Sequence, residues 1–521
     1  MRTKVYLTAI WRMLLGLSLL LGAAGCDGSS SAYPQPATAQ ASGINTGAGT
    51  ASSAATPVST RTTRPGGVPA SATPAPTRPQ PSPTRPPAIN LTADDLSGQA
   101  ITFWHPWSGE KNEAIQQLID HFNRGNPYDL SVEVQAFNGM NALQEAFQAA
   151  EQSGTLPDLL VAYPYQARQL DLNGQTLVDL NAYLYDSNWG FSDGELEDFY
   201  PQFWEQDTLT VTLTSQGPAV KRLGLPFYHT LFFVAYNQTW ATELGYDEPP
   251  ATPFDLRLQA CAASGNEVGG WMITDSGSLD DQAADPPASL LLGWVGAYGG
   301  QITRPDGSGY QFDNPGVEHA LGFLKGMQNS ACAWLGRDLD PAAAFAARQA
   351  LFYAAGLPDL PAQRAAMQAA SNRDRWTVLP FPGNGESMNG DGSPVVDATS
   401  MSLSITRSTP ERQLATWLLL EWLISPSGQA HWANASGYAP VRPSTLELLD
   451  SELKANPQWA TALSLLPYAQ PQPSYASWGV TRGMVGDALK QLLTPTFTAA
   501  QIPDLIQVME ILAEEIHSQI R

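Results

Sequence analysis

Cysteine and histidine are scarce in this chain. Its 521 residues include three cysteines and six histidines, with no Cys-x-x-Cys pair and no Cys/His spacing that is typical of a metal site. Gly-x-Ser-x-Gly, His-Glu-x-x-His and phosphate-binding glycine loops are absent as well. We therefore expect no metal and no cofactor, and we expect that the protein is not an enzyme.

Basic residues are also in short supply. The chain has 27 Lys and Arg against 49 Asp and Glu, a formal net charge of −22, which argues against nucleic acid as a partner. Residues 1–90 hold seven basic residues and one acid, a net of +6, which leaves −28 in residues 91–521. Anionic ligands are disfavoured only weakly, because a local basic pocket can oppose the global field.

A short apolar run, Met13–Ala24, follows three basic residues near the N-terminus. This pattern predicts a signal peptide over residues 1–25 rather than a membrane-spanning helix. Small residues immediately before Cys26 resemble the lipobox of bacterial lipoproteins, although Ala23 stands where leucine is usual. The resemblance implies cleavage before Cys26 and its lipidation; the alternative is an ordinary secretory signal with a chance cysteine.

The segment 26–97 is expected to be a tether. Up to residue 90 it is dominated by Ser, Thr, Ala, Gly and Pro, and the sequence Pro-Ser-Pro-Thr-Arg-Pro-Pro at 81–87 is typical of it. Such a composition buries too little apolar surface to offset the entropy lost on ordering. We expect a disordered, partly polyproline segment that holds a folded body, residues 98–521, away from the membrane.

The folded body alternates short strands with amphipathic helices. Strands are predicted at Gln99–Phe103, Leu130–Ala136 and Pro157–Ala162, and the apolar residues between Ile115 and Phe122 have helical spacing. This alternation favours an α/β fold with mostly parallel sheets flanked by helices. The length indicates two lobes, and ligands of such sheets bind beyond the carboxyl ends of the strands.

The stretch Gly224–Asn237 is expected to connect the two lobes. Pro226 rigidifies its start, and the unbroken apolar run Leu231–Tyr236 is typical of a strand that is buried on both faces. A strand of this kind, near one third of the folded body, suits a crossing between lobes.

Cys261 and Cys332 form an even pair if Cys26 is lipidated. In an oxidising compartment this pair can make a disulfide. Two buried free thiols are the alternative.

Short motifs in a fixed order carry a family resemblance. The first strand ends in Trp104-His-Pro-Trp107-Ser-Gly109, and Pro157-Asp158 precedes the third strand. Gly224-Leu-Pro-Phe-Tyr228 leads into a strand that ends in Tyr236-Asn237, and Gly437-Tyr-Ala-Pro-Val-Arg442 comes late in the chain. Over about 98–495 these motifs resemble the extracellular solute-binding proteins of ABC importers, the family that includes the maltose-binding protein.

The resemblance implies a two-lobed fold of the periplasmic-binding-protein-like type II, in which the lobes close on a solute by bending at hinges. We expect lobe 1 at about 98–225 and 390–438, lobe 2 at about 238–381 and 443–521, and hinges near 226–236, 382–390 and 439–442. The resemblance further implies a monomer that delivers its solute to the transmembrane subunits of an ABC permease, at the cell surface or in the periplasm.

Aromatic residues supply most of the candidate binding site. Flat rings bind the apolar faces of sugars, while nearby polar groups take the hydroxyls, and the resemblance places ligand aromatics at Trp107 and Trp478. Core packing is the alternative for every aromatic, and local backbone capping is the alternative for Asp158. The candidate ligand-binding residues are Trp107, Ser108, Asp158, Tyr163, Tyr165, Tyr228, Trp271, Trp294, Trp376, Tyr438 and Trp478.

A carbohydrate, mono- or oligosaccharide, is the expected solute. Because the folded body is acidic, a polyamine is the first alternative, and a peptide is another. A surface carbohydrate-processing enzyme would need two carboxylates across a cleft, and no spacing singles out a pair among Glu110, Asp158 and Glu205. A ligand-sensing partner of a membrane receptor is a third possibility.

Overall fold

The structure is a computed structural model that describes residues 89–213, 217–265, 268–274, 286–337, 339–385 and 393–520. The predicted signal peptide, Cys26 and most of the predicted tether lie outside the described residues. None of the described helices is both long enough and apolar enough to cross a membrane.

The strands of the described residues are short except for two, the sixth and the eleventh. In chain order, β1 to β12 are Ala100–His105, Ser131–Ala136, Leu159–Ala162, Thr208–Leu213, Gly217–Arg222, Leu225–Asn237, Trp271–Ile273, Ala333–Leu335, Phe352–Gly356, Trp376–Leu379, Val396–Ile405 and Ala469–Pro471.

Helices alternate with these strands through most of the chain. In chain order, α1 to α19 are Ala93–Leu96, Gly109–Gly125, Met140–Ser153, Pro164–Leu170, Asn181–Leu184, Asp193–Glu197, Gln238–Glu243, Pro253–Ala263, Pro286–Ala297, Pro315–Asn329, Pro341–Ala346, Leu360–Ala369, Pro410–Leu423, Pro426–Ser436, Thr445–Leu448, Asp450–Ala455, Pro457–Ser464, Trp478–Leu492 and Ile502–Gln519.

Local sequence explains many of the helix starts. Thr252 begins α8, where its Oγ1 accepts a hydrogen bond of 3.1 Å from the Asp255 amide, and Pro253 takes the first helical position. Asn314 caps α10 in the same way, at 3.2 Å from the Val317 amide. Both arrangements satisfy amides that have no partner within the helix, and the predicted start at Thr252 is confirmed.

The main sheet runs in the order β2-β1-β3-β11-β6-β9-β7-β8. At one end, β1 pairs in parallel with β2 and β3; at the other, β7 pairs in parallel with β8 and β9. β6 and β11 join the two parallel halves and run antiparallel to each other. The predicted α/β class and two-lobed fold are confirmed.

β6 is buried along its whole length, as its unbroken apolar run predicts. The first part of the strand, up to Phe232, pairs with β11, whereas Phe232–Tyr236 pair with β9 and Val234–Asn237 pair with β10. Side chains from its two faces enter different parts of the core, Phe232 and Val234 on one side and Leu231 and Phe233 on the other. The strand therefore contributes to the cores on both faces of the sheet.

Proline is rare inside a central strand because it removes a ladder donor. Pro226 is tolerated in β6 because the ladder is irregular there: Met401 pairs with Tyr228, and Ser402 pairs with Pro226. Phe227 is thus one extra residue on the β6 side, a β-bulge.

β11 provides the second passage between the halves. Its last residues pair with β3, and its first residues pair with β12. The sequence predicts a hinge near 382–390, of which 386–390 lie outside the described residues, and this stays a prediction. Buried polar residues such as Ser400 and Ser402 obscure the strand pattern, and they are accommodated because Gln206 and Asp207 accept their hydroxyls at 3.0 and 2.9 Å.

Cys261 and Cys332 form the predicted disulfide, with their Cα atoms 4.4 Å apart. It joins the end of α8 to the residue before β8, across a sequence separation of 71. The alternative of two free thiols is wrong.

We predict that the Cys332→Ser variant lowers the free energy of unfolding by about 2–4 kcal/mol, because the crosslink restricts the unfolded chain. Denaturant unfolding of the variant and of the wild-type protein, each with and without reductant, measures this. Reductant is expected to destabilise the wild type alone. Labelling of both thiols in the denatured, unreduced wild type would refute the bond.

Candidate functional site

A cavity of about 670 Å³ lies where strands from both halves of the sheet end. The segments that follow β1, β2 and β9 at their carboxyl ends all reach it, as expected for a ligand site in an α/β sheet. Its volume is in the range of small-molecule sites. The lining comprises Pro106–Lys111, Asn138–Met140, Leu357, Pro358, Leu360, Pro361, Arg364, Met401, Ala433–Gly437, Asn456 and Trp459.

Trp107 and Ser108 are the two predicted site residues that line this cavity directly. Trp107 is only 4% exposed, and its ring centroid lies 4.7 Å from that of Trp432 and 6.0 Å from that of Tyr228. Ser108, which is exposed, stands immediately before α2. Trp107 therefore lines the cavity as a member of a packed aromatic cluster.

Tyr228 and Tyr438 support the cavity wall from behind. Their rings are stacked with centroids 3.9 Å apart, and both side chains are buried. The Tyr438 hydroxyl accepts a hydrogen bond of 3.1 Å from Nζ of Lys111, which lies 4.7 Å from the centroid of the same ring. Lys111 lines the cavity, so these two tyrosines set the position of a charged group in its wall.

His105, at the end of β1, connects that strand to the cavity loop. Its Nδ1 accepts the Trp107 amide at 3.2 Å, and its ring stacks on that of Trp107 at 5.4 Å. Burial lowers the pKa of His105 to about 4, so the ring is neutral at neutral pH. The histidine thereby holds the loop in place without adding charge.

Tyr163 and Tyr165 follow the carboxyl end of β3, on the same side of the sheet. Their rings are parallel, 5.5 Å apart, and Tyr165 packs against Gly479 so closely that a Cβ there would lie 2.8 Å from the ring. Gln169, on the helix that contains Tyr165, donates to the backbone oxygen of Ala476. These contacts bring the tyrosines to the start of α18, where Trp478 lies.

Trp478 itself is 1% exposed. Its Nε1 donates to Oε1 of Gln472 at 3.1 Å, and its ring lies 6.2 Å from that of Tyr310. Trp478, Tyr163 and Tyr165 are therefore brought together, in a second aromatic group that does not line the 670 Å³ cavity.

Three of the predicted aromatics pack in the core instead. Trp271 and Trp294 lie 5.7 Å apart and contact Phe381, and Trp376 packs edge-on against Phe345. All three are buried and outside the cavity lining. The segment that follows Trp271 and β7, 275–285, lies outside the described residues.

Asp158 precedes β3, whereas the cavity lies beyond the opposite, carboxyl end of the neighbouring strand β1. Its Oδ2 accepts the amide and the hydroxyl of Thr102 at 2.8 and 3.0 Å, and it pairs with Arg412 at 2.9 Å. These contacts tie β3 to β1 and to α13. Asp158 is therefore not among the residues that line the cavity.

Comparison with known proteins supplies the family. Residues 117–461 match the profile of the bacterial extracellular solute-binding protein family. The chain belongs to this family. No curated protein sequence gives a significant match.

Solved structures with the same fold come from several bacteria. The sugar-binding protein MalE from Xanthomonas citri is 19% identical, with a TM-score of 0.66 over 81% of this chain and 98% of that one. The cyclic alpha-maltosyl-1,6-maltose binding protein from Arthrobacter globiformis is 18% identical, with a TM-score of 0.64 over 81% of this chain and 99% of that one. UgpB from Mycobacterium tuberculosis, in complex with glycerophosphocholine, is 18% identical, with a TM-score of 0.61 over 81% of this chain and 99% of that one.

Several charged and polar lining residues of this family member were not among the predicted site residues. Glu110 and Lys111 follow the Trp-Ser-Gly motif directly, so their position after the first strand could have revealed them. Arg364 lies on α12 and Asn456 lies between α16 and α17, and Arg364 donates to the Asn456 side chain. No sequence pattern links these two residues, because only the packing of α12 beside α16 and α17 brings them together.

Gln472 joins Trp478 to a buried acid. Its Nε2 donates to Oδ2 of Asp397 at 2.6 Å and to Ser289 at 3.2 Å. Burial raises the pKa of Asp397 to about 7, and the hydrogen bonds from Ser289 and Gln472 and the charge of Arg482 oppose this rise. Asp397 stands in β11, where it pairs with Phe232 of β6.

We predict that Trp107→Ala lowers the free energy of unfolding by about 3–5 kcal/mol, because it removes a buried ring from an aromatic cluster. Denaturant unfolding measures this. Trp240→Ala, which removes a partly buried tryptophan on α7, is the control and is expected to cost less. Equal losses in the two variants would contradict the central position of Trp107.

We predict that the free energy of unfolding of Asp397→Asn increases relative to that of the wild type as the pH rises from about 4 to 8. Because the pKa of Asp397 is raised on folding, its contribution to stability is present at low pH and is lost as the pH rises through about 7. Thermal unfolding across this range measures the difference.

Asp374→Asn is the control of opposite sign. The hydrogen bond from Arg348 lowers the pKa of Asp374, so this variant is expected to lose most stability at neutral pH and less as the pH falls. A difference between Asp397→Asn and wild type that does not change with pH would contradict the raised pKa.

Proposed function

We propose that this protein is the lipid-anchored substrate-binding component of an ABC importer and that it captures a carbohydrate between its two lobes. Membership of the extracellular solute-binding family supports capture outside the cytoplasm. The observation that carries the proposal is the cavity, which strand ends from both halves of the sheet share. A ligand bound there contacts both lobes and favours the closed arrangement.

The lining suits a sugar. Trp107 and Trp459 offer apolar ring edges, while Ser108, Asn138, Asn434 and Asn456 offer hydrogen-bonding groups. This mixture of aromatic and amide or hydroxyl groups is what sugar faces and sugar hydroxyls require. Similar structures include proteins named for sugars. UgpB has the same fold in complex with glycerophosphocholine, so the fold alone does not determine the ligand.

The order of strands in the sheet supports the proposed lobes and hinges. Lobe 1 contains β1–β3 and lobe 2 contains β7–β9, and closure bends the chain where β6 and β11 cross and near Ala439, whose amide and carbonyl exchange hydrogen bonds with His229. Hinge closure of this kind is a common response of two-lobed proteins to ligand.

The remaining site assignments form part of the same proposal. Tyr163, Tyr165 and Trp478 provide a second aromatic group at the edge of the cleft, and Tyr228 and Tyr438 position the wall. The protein acts without catalysis, as a monomer, and delivers its solute to membrane permease subunits. Lipidated Cys26 anchors it on the outer side of the cell membrane, at the cell surface or in the periplasm.

Two rivals differ in chemistry. A polyamine is disfavoured because the charged groups that line the described part of the cavity are one acid, Glu110, and two bases, Lys111 and Arg364. A carbohydrate-processing enzyme would require two carboxylates that face each other, and Glu110 is the one carboxylate in the described lining.

We predict that the intrinsic tryptophan fluorescence of the purified protein changes saturably with one class of sugar in a panel of maltose-type oligosaccharides, xylo-oligosaccharides and monosaccharides. The buried Trp107 cluster next to the cavity is the reason for the signal. Spermidine and a short peptide serve as controls. A response to these alone would overturn the carbohydrate proposal, and release of a new product from the sugar would indicate an enzyme.

A further inference from the structure

The charge of the cavity is opposite in sign to that of the folded body. Residues 91–521 carry a formal net charge of −28. In the described lining, the charged side chains are Glu110, Lys111 and Arg364, a net of +1. A local excess of positive charge in a cleft raises the concentration of anions there, whatever the charge of the whole protein.

The two basic groups reach the cavity from different lobes. Lys111 is on α2, after the first strand of lobe 1, and Arg364 is on α12, which follows β9 of lobe 2. Each is partly buried, so its charge is screened less than that of a fully exposed side chain. A ligand that contacts both side chains must lie between the lobes.

Neutral groups hold both side chains in place. Lys111 donates to the Tyr438 hydroxyl at 3.1 Å, and Arg364 donates to the Asn456 side-chain oxygen. Across the described ranges, neither takes part in an ion pair. Their positions are therefore fixed while their positive charge is not neutralised by a carboxylate, an arrangement that suits an incoming anion.

The backbone of α2 adds to this field. The helix has 17 residues and begins at Gly109, and the Ser108 side chain makes no capping hydrogen bond to it. Ser108, Gly109 and Lys111 all line the cavity, so the positive end of the helix dipole is directed at the ligand space. The helix end reinforces the attraction that Lys111 and Arg364 exert.

We infer that the solute is an anionic carbohydrate, whose phosphate or carboxylate group is bound by Lys111 and Arg364. This inference rests on the proposed function and narrows its substrate class. The sugar ring contacts Trp107 and the amide side chains, and the anionic group occupies the basic part of the cavity. Glu110, which is exposed on the same wall, repels the anion and accepts hydrogen bonds from sugar hydroxyls.

Isothermal titration calorimetry of the purified full-length protein tests this with matched ligands. The probes are glucose, glucose 6-phosphate, glucuronate and inorganic phosphate. We expect glucose 6-phosphate or glucuronate to bind at least tenfold more tightly than glucose, with an affinity that falls as NaCl is raised. Whichever of the two binds better distinguishes a phosphate from a carboxylate.

The binding affinities of four charge variants test the assigned site. Lys111→Gln and Arg364→Gln are each expected to weaken binding of the anionic sugar by about 10- to 100-fold, the loss typical of a charged hydrogen bond. Glu110→Gln is expected to strengthen it. Arg373→Gln, which removes an exposed arginine from the turn after α12, is the control and is expected to leave binding unchanged.

The outcomes separate this inference from the proposed function. Binding of glucose that equals or exceeds that of both anionic sugars, with no effect of Lys111→Gln, would overturn the anionic class and leave carbohydrate capture standing. Binding of inorganic phosphate as tight as that of glucose 6-phosphate would retain the anion site and overturn the carbohydrate. Equal losses in Arg364→Gln and Arg373→Gln would refute the assigned site.

Discussion

The antiparallel pair of β6 and β11 is the element on which the rest of the structure depends. Both strands are buried along their length. They pair with each other, and β11 also pairs with β3 of one parallel half while β6 pairs with β9 of the other. The bulge at Phe227 interrupts their ladder at the level of Met401, which lines the cavity. The cleft is therefore formed beside the irregular part of an otherwise continuous sheet.

Aromatic contacts connect this crossing to the cavity wall. Tyr228 is a β6 residue, and it stacks on Tyr438 and contacts Trp107 and Trp432. Each such pair contributes about 0.5–1.5 kcal/mol beyond its buried area. Because Lys111 is held by Tyr438, one cluster sets both an apolar and a charged part of the wall.

Buried polar groups connect the two aromatic regions through the same crossing. His229 Nδ1 lies 2.7 Å from the Ser400 hydroxyl, and this hydroxyl donates to Gln206. Gln206 donates to the backbone oxygen of Gln472 at 3.3 Å. The Gln472 side chain accepts the hydrogen bond from Trp478 Nε1. Buried polar networks of this kind favour one arrangement strongly when their members are satisfied. The crossing and the Trp478 region are therefore connected by one continuous network of hydrogen bonds.

The sequence by itself determined the class of the fold, the crossing strand and the family, because each depends on local pattern: alternating strands and helices, an unbroken apolar run and short ordered motifs. It allowed either a disulfide or two free thiols for Cys261 and Cys332, and the structure decided for the disulfide. It also indicated that Trp107 and Ser108 lie at a strand end beside the ligand space. It did not reveal that β11 is the second crossing, since buried serines interrupt its apolar pattern.

Only the tertiary structure decided which aromatics reach the cavity and which form the core. Trp107 follows β1 and lines the cavity, whereas Trp271 begins β7 and packs against Trp294 away from it. Only the tertiary structure, likewise, placed Arg364 in the same cavity as Lys111, 253 residues earlier in the sequence. Such contacts arise from the way distant helices pack around the sheet, and local sequence pattern carries no information about them.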